Sequence, residues 1–221
     1  MQIHDINSIK QACNITDKIL DECIKNIRNF RTEKQVYNFL VKRAKQYKCK
    51  LAFPPIIASS KHSSIMHYKV KNSKIKKGFL VIDFGVKYRG FCSDETRTVY
   101  MGIPSKKEIK DYNKLLKIQK KVISLVKPGK YYCDLDIKAR LLLGKDKIYF
   151  NHSLGHGVGR KVHSDPKINS ASKDKIKMND IITIEPGIYK KDYGIRIEDT
   201  ILVKNKPIIL TKTNKKLICI S

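Results

Sequence analysis

Apolar residues along this chain follow two rhythms. Ile6, Ile9, Ile15, Ile19, Leu20, Ile24 and Ile27 recur at helical spacing over residues 6–28, as in a helix with one buried face. "TEKQ" at 32–35 has the form of a capping box, in which Thr32 and Gln35 satisfy each other's free amides, and it opens a second helix to about Tyr47. The rhythm then shortens. "LAFPPIIAS" from Leu51 predicts a strand, and Pro54 and Pro55 confine it to an edge or a bulge. "GFLVIDFGV" and "GFCSDETRTVYMG" predict two strands around a turn. A second capping box, "SKKE" at 105–108, opens a helix to about Val126, which Pro128 and Gly129 stop. Residues 134–143 predict a third helix, ended by Gly144. Strands follow at "DIITIEPGIY", "GIRIEDTILV" and "KPIILTKT".

The order is helices, strands, helices, strands, which suggests a duplicated unit. No Pro/Gly/Ser-rich linker divides the 221 residues, so the expectation is one α+β domain. An apolar content of 41% suffices for a sizeable core. No apolar run approaches the ~20 residues of a membrane span. The N-terminus lacks a signal-peptide layout, so a cytoplasmic protein without a membrane partner is expected. The six cysteines form no C-x-x-C pair and are expected to be reduced and mostly buried. The net charge of +27 would draw polyanions. Its lysines are spread along the chain, however, without interleaved aromatics, so a coding bias is the preferred reading over a nucleic-acid partner.

Chemistry enters through acids in apolar strands. Asp83 and Asp94 lie in the two strands of "VIDFGVKYRGFCSD". A turn centred on Tyr88 and Arg89 would set them directly opposite each other, ~5 Å apart at Cβ. Like charges that close require a cation between them. The hairpin alone leaves open a core acid bonded to backbone and a surface acid. His152, His156 and His163, three of six histidines, then fall within twelve residues among glycines, and neutral imidazole is a common metal ligand. Glu185 in "TIEPGIY" and Glu198 in "GIRIEDT" put two more acids among isoleucines, with a salt bridge from Arg196 as the competing account of Glu198. An oxygen-rich set of four carboxylates and an imidazole suits Mn²⁺, Co²⁺, Fe²⁺ or Zn²⁺. Four negative charges are balanced by two divalent ions, as in aminopeptidase-type hydrolysis.

These stretches, with "AFPPIIAS", His67–Tyr68 and "GHGVGRKVHSDP", stand in the order found in the Xaa-Pro peptidases. The chain thus resembles the catalytic domain of the prolidase and aminopeptidase P group of pita-bread metallopeptidases. The resemblance implies a pseudo-twofold α+β fold of curved antiparallel sheet and flanking helices. It implies five metal ligands at Asp83, Asp94, His156, Glu185 and Glu198, holding two divalent ions, Mn or Co foremost with Zn or Fe as alternatives. His67, His163 and Glu185 take catalytic roles, and His152, Tyr189 and Arg196 lie against the substrate. The implied substrates are peptides with proline second, cut by a monomer or homodimer. Three features depart from the family pattern: Ser164 where an acid commonly follows the histidine, and Ser60 and Met66 in place of glycine and proline. Residues 1–221 are expected to form the catalytic domain without the N-terminal domain usual in this group, which leaves the substrate beyond proline open to solvent. The rivals are methionine aminopeptidase and a non-catalytic pita-bread protein that binds RNA or ribosomes.

Overall fold

The computed structural model describes residues 3–220, with side chains from residue 5. Both capping boxes form: Thr32 accepts from the Gln35 amide and Ser105 from the Glu108 amide, each at 3.3 Å, and each partner side chain bonds back. The elements run α1 (Ile3–Lys25), α2 (Glu33–Gln46), β1 (Lys50–Leu51), β2 (Ile56–Ser59), β3 (Gly78–Phe84), β4 (Val86–Tyr88), β5 (Phe91–Cys92) and β6 (Glu95–Met101). There follow α3 (Lys106–Ile123), α4 (Tyr132–Leu143), β7 (Gly155–Gly157), β8 (Ser164–Ile168), β9 (Ile181–Ile184), β10 (Gly187–Tyr189), β11 (Gly194–Arg196), β12 (Asp199–Leu202), β13 (Ile208–Ile209) and β14 (Cys219–Ile220). The short strands β7, β8 and β14 are not foreshadowed by any alternation in the sequence.

The expected repeat is visible in the order. Each half is a helix pair followed by a long antiparallel hairpin, β3/β6 in the first and β9/β12 in the second. The hairpin tips continue as separate ladders, β4/β5 and β10/β11. The sheets are ordered β14-β6-β3-β2 and β13-β12-β9-β7-β8. Pro54 and Pro55 divide "LAFPPIIAS" into β1, paired with β4, and β2 at a sheet edge.

Burial explains why acids face the seam between the halves. Side chains alternate along a strand. Leu80, Ile82 and Phe84 of β3 pack with Ile19, Leu20, Val36 and Leu40 of α1 and α2. Val81 turns the other way, onto Ala58 and Tyr68, and Asp83 shares its side of the strand. In the second half, Tyr112, Leu115, Leu135 and Ala139 of α3 and α4 cover Ile182, Ile184 and Ile201. Truncating such a fully buried leucine costs ~2–5 kcal/mol.

One expectation is corrected. The turn of the first hairpin is centred on Arg89 and Gly90, both with positive φ (47° and 83°), and Tyr88 pairs with Phe91. This is the conformation of a two-residue hairpin turn whose twist suits the strands. Asp83 therefore stands opposite Thr96, not Asp94. Moving a turn by one residue slips the register by two, which keeps every side chain on its face. Asp94 becomes a diagonal neighbour of Asp83.

Behind the acids, Arg97 joins the hairpins. It is fully buried, bonds Asp199 at 2.8 Å and the Thr213 carbonyl at 2.9 Å, and also donates to the Glu198 carbonyl. Glu95 lies 2.6 Å from it as an ion pair without hydrogen-bond geometry. Among the described residues the cysteines are free, with Cys13, Cys23, Cys49 and Cys92 buried, and no helix is long and apolar enough to cross a membrane.

Candidate active site

All five predicted ligands line one cleft of about 100 Å³. Asp83 comes from β3 and Asp94 from the break before β6. Glu185 comes from the break after β9, Glu198 from the break before β12, and His156 from β7. The breaks take Asp94, Glu185 and Glu198 out of the ladders, whereas Asp83 stays paired with Thr96 and His156 with Lys167. Gly85, opposite the second break in the first hairpin, lets the chains close, because a Cβ there would overlap the Ser93 carbonyl. Asp83, Asp94 and Glu198 each offer a ligand atom within 4.8 Å of the others, as do His156, Glu185 and Glu198. A third such group, Asp94, His156 and His163, brings His163 within the same reach.

The carboxylates are crowded and dry. Burial pushes Asp94 well above the usual carboxylate range, and Glu198, Asp83 and Glu185 push it further. Glu198 is raised in the same way, by burial and then by Glu185 and Asp83. Burial lifts Glu185 to about 8 despite Arg196. Asp83 is also raised by burial, against the pull of Arg196. His156 is lowered to about 4 by burial, so it is neutral at pH 7. Its Nδ1 lies 3.0 Å from the Gly157 carbonyl, which can only accept. The proton therefore sits on Nδ1, and the Nε2 lone pair faces Asp94 (3.5 Å) and Glu185 (3.4 Å).

Arg196 does not pair with Glu198 as the competing account required. Its Nη2 donates to Asp83 at 2.6 Å, its Nε to the Thr96 hydroxyl at 3.1 Å and its Nη1 to the Tyr189 hydroxyl at 2.8 Å. Tyr189 lies 3.0 Å from His152 Nε2, and His152 Nδ1 lies 2.8 Å from the Ser153 carbonyl. The proton of His152 is thus on Nδ1, and the tyrosine hydroxyl donates to Nε2. Glu198 accepts instead from Thr96 at 2.6 Å. Thr96 was not singled out from sequence, although it stands two residues beyond Asp94, on the same strand face.

His67 and His163 are exposed and line the cleft mouth. A groove of about 700 Å³ runs on from it, lined by both and by His152, Lys161, Ser164, Lys167 and Asn169 among others. Phe53, Ile56 and Met66 give the cleft an apolar wall that sequence reasoning did not assign. One arginine and four acids meet here, and Asp83 Oδ1 is buried without a hydrogen-bond donor. Neutral imidazole, oxygen donors and an orphaned carboxylate oxygen fit divalent cations.

Comparison with known proteins identifies the family and the fold. Residues 7–205 match metallopeptidase family M24. The chain is 40% identical to the Xaa-Pro dipeptidase of Pyrococcus horikoshii and 38% identical to that of Pyrococcus furiosus, over 97% of this chain and 63% of each relative. The chain thus spans under two-thirds of the length of these relatives. It superposes on an X-Pro aminopeptidase from Thermotoga maritima with a TM-score of 0.95 at 32% identity, over 100% of this chain and 64% of that one. The prolidase of Pyrococcus horikoshii gives a TM-score of 0.94 at 37% identity, over 98% and 64%.

Proposed function

Because the chain belongs to metallopeptidase family M24, we propose that it hydrolyses the peptide bond between an N-terminal residue and proline with the help of two divalent ions. Asp83, Asp94, His156, Glu185 and Glu198 hold them. The observation that carries this reading is the convergence of four carboxylates and a neutral imidazole on one small cleft, with Arg196 the one arginine in its lining. Manganese or cobalt suits so oxygen-rich a set, which zinc and iron also satisfy. Bound metal supplies a water nucleophile at neutral pH and polarises the scissile carbonyl.

The remaining work falls to side chains. His67 and His163 stand at the mouth, where ring N–H groups can meet the carbonyl oxygen as charge develops on it. Glu185 takes a proton from the attacking water and returns it to the leaving nitrogen. That nitrogen needs it, because an amine leaves from the tetrahedral intermediate only once it is protonated. Arg196 holds Asp83 and Tyr189, and Tyr189 holds His152, so the wall of the cleft is fixed before substrate arrives. The adjoining groove accepts residues beyond proline.

The test is hydrolysis of Ala-Pro, Ala-Pro-Ala and Met-Ala-Ser by metal-stripped protein before and after Mn²⁺ or Co²⁺ is restored. Metal-dependent cleavage of the Xaa-Pro substrates is expected. Preference for Met-Ala-Ser would replace the reading by methionine removal, and no cleavage of any would refute it. Asp94→Ala and Glu198→Ala should each abolish turnover and lower the metal content.

A further inference from the structure

Glu33 opens α2, and in sequence it is merely the second residue of a capping box. In the structure its side chain is fully buried. It reaches away from its own helix. Oε1 accepts from the Ser59 amide at 2.8 Å and lies 2.9 Å from His62 Nδ1, and Oε2 accepts from the Tyr68 hydroxyl at 2.8 Å. His62 and Tyr68 also stack on each other, with ring centroids 4.6 Å apart. All three partners belong to one segment, residues 59–68. A buried carboxylate is costly without donors, and this one has gathered its donors from both ends of that segment.

The segment is held on its other side by β11. The Gly194 amide donates to the Ser63 hydroxyl at 2.8 Å, and a Cβ on Gly194 would overlap the Ser63 carbonyl. Arg196 Nη1 donates to the Met66 carbonyl at 3.3 Å. His67 therefore sits between two anchored neighbours, Met66 tied to Arg196 and Tyr68 tied to Glu33. Its own ring is exposed over the cleft and the groove.

We infer that Glu33 is a positioning residue for His67: through Tyr68, His62 and the Ser59 amide it sets where the His67 ring stands over the cleft, without touching substrate itself. The inference deepens the proposed hydrolysis of Xaa-Pro bonds and rests on it for its kinetic consequence. Glu33 lies outside the carboxylate cleft, so its loss leaves the metal ligands in place. A misplacement of ~1 Å in a group that acts on the reacting carbonyl costs on the order of 100-fold.

The experiment is a double-mutant cycle on Ala-Pro hydrolysis by the Mn²⁺-loaded protein, with Glu33→Gln, His67→Ala and the pair. Glu33→Gln should lower kcat by about 10- to 100-fold, with KM and metal content near wild type. In the His67→Ala background the same change should lower kcat less than about twofold, because residues that act as one unit are not additive. An equal loss in both backgrounds overturns the inference. Tyr68→Phe removes one hydroxyl and keeps the ring, so it carries the same cycle should Glu33→Gln fold poorly. Imidazole NMR of the Zn²⁺-loaded protein, in which no paramagnetic ion broadens the signals, gives a readout independent of turnover. The His67 resonance should shift or broaden in Glu33→Gln or Tyr68→Phe while those of His152 and His156 stay in place. An unmoved His67 resonance overturns the inference, whereas a wild-type protein inactive on Ala-Pro with a shifted His67 refutes only the proposed substrate.

Discussion

Titrating metal-free protein with Mn²⁺ at pH 7 should expel protons from the cleft. Glu185, lifted to about 8 by burial, is ~90% protonated at that pH. Asp94 and Glu198 are raised well above the carboxylate range by burial and by their acidic neighbours. His156, lowered to about 4, is already neutral and releases nothing. Ligation needs carboxylates, so between about one and three protons leave per protein. The sign follows for affinity and for stability. A carboxyl group raised in the folded state binds protons that the unfolded chain has lost. The metal-free fold therefore weakens as pH climbs from ~4.3 toward 8, and metal affinity strengthens over the same window. Each proton contributes ~1.4 kcal/mol per pH unit to that affinity. Calorimetry in two buffers of different ionisation enthalpy reads the number directly. Glu185→Gln should reduce it by about one. Release below about half a proton, or no change in Glu185→Gln, would show that the cleft is already ionised and the reasoning wrong.

Three further outcomes follow from the same geometry. Arg97→Met strands Glu95 and weakens Asp199 in the interior, and should cost ~3–5 kcal/mol in urea denaturation; a loss under ~1 kcal/mol would mean that the network contributes little. Asp199 is pushed up by burial but pulled further down by Arg97, Lys215 and Gln119, and ends below its ordinary value. Its contribution is present above the unfolded value of ~3.9 and is lost as pH falls through the folded one, so Asp199→Asn should flatten the acid limb of a stability–pH profile, and an unchanged limb would count against it. The open groove predicts that Ala-Pro-Ala-Ala is cleaved with kcat/KM at least equal to that of Ala-Pro, since contacts that persist in the transition state raise it; a dipeptide preference beyond about tenfold, ~1.4 kcal/mol, would show that the groove is closed during turnover.

Helices were legible where local rules suffice. Thr32 with Gln35 and Ser105 with Glu108 announce their own caps, and Gly144 its own stop. Strands were legible where β-branched and aromatic residues gathered, as in β3 and β6, and silent in β7, where two of three residues are glycines. The register failed by two because Arg89 adopts a positive φ that its side chain does not advertise. That error left the site intact, since a two-residue slip preserves the face on which Asp83 and Asp94 lie. The acids could be found from their apolar neighbours. Glu33 could not, because its donors lie 26 to 35 residues away along the chain.

The two broken hairpins have a consequence for how the molecule holds together. Asp83 and Asp94 belong to one half, and Glu185 and Glu198 to the other. Neither half owns the cleft, which exists only once both have met. Without a counter-ion, bound protons keep like charge off their meeting line, where the hairpins cross through the Glu198 amide and the Thr96 carbonyl, 3.2 Å apart. A cation that displaced those protons would draw four charged oxygens from both halves onto itself, and the proposed chemistry of the cleft and the cohesion of the two halves would then depend on the same four side chains.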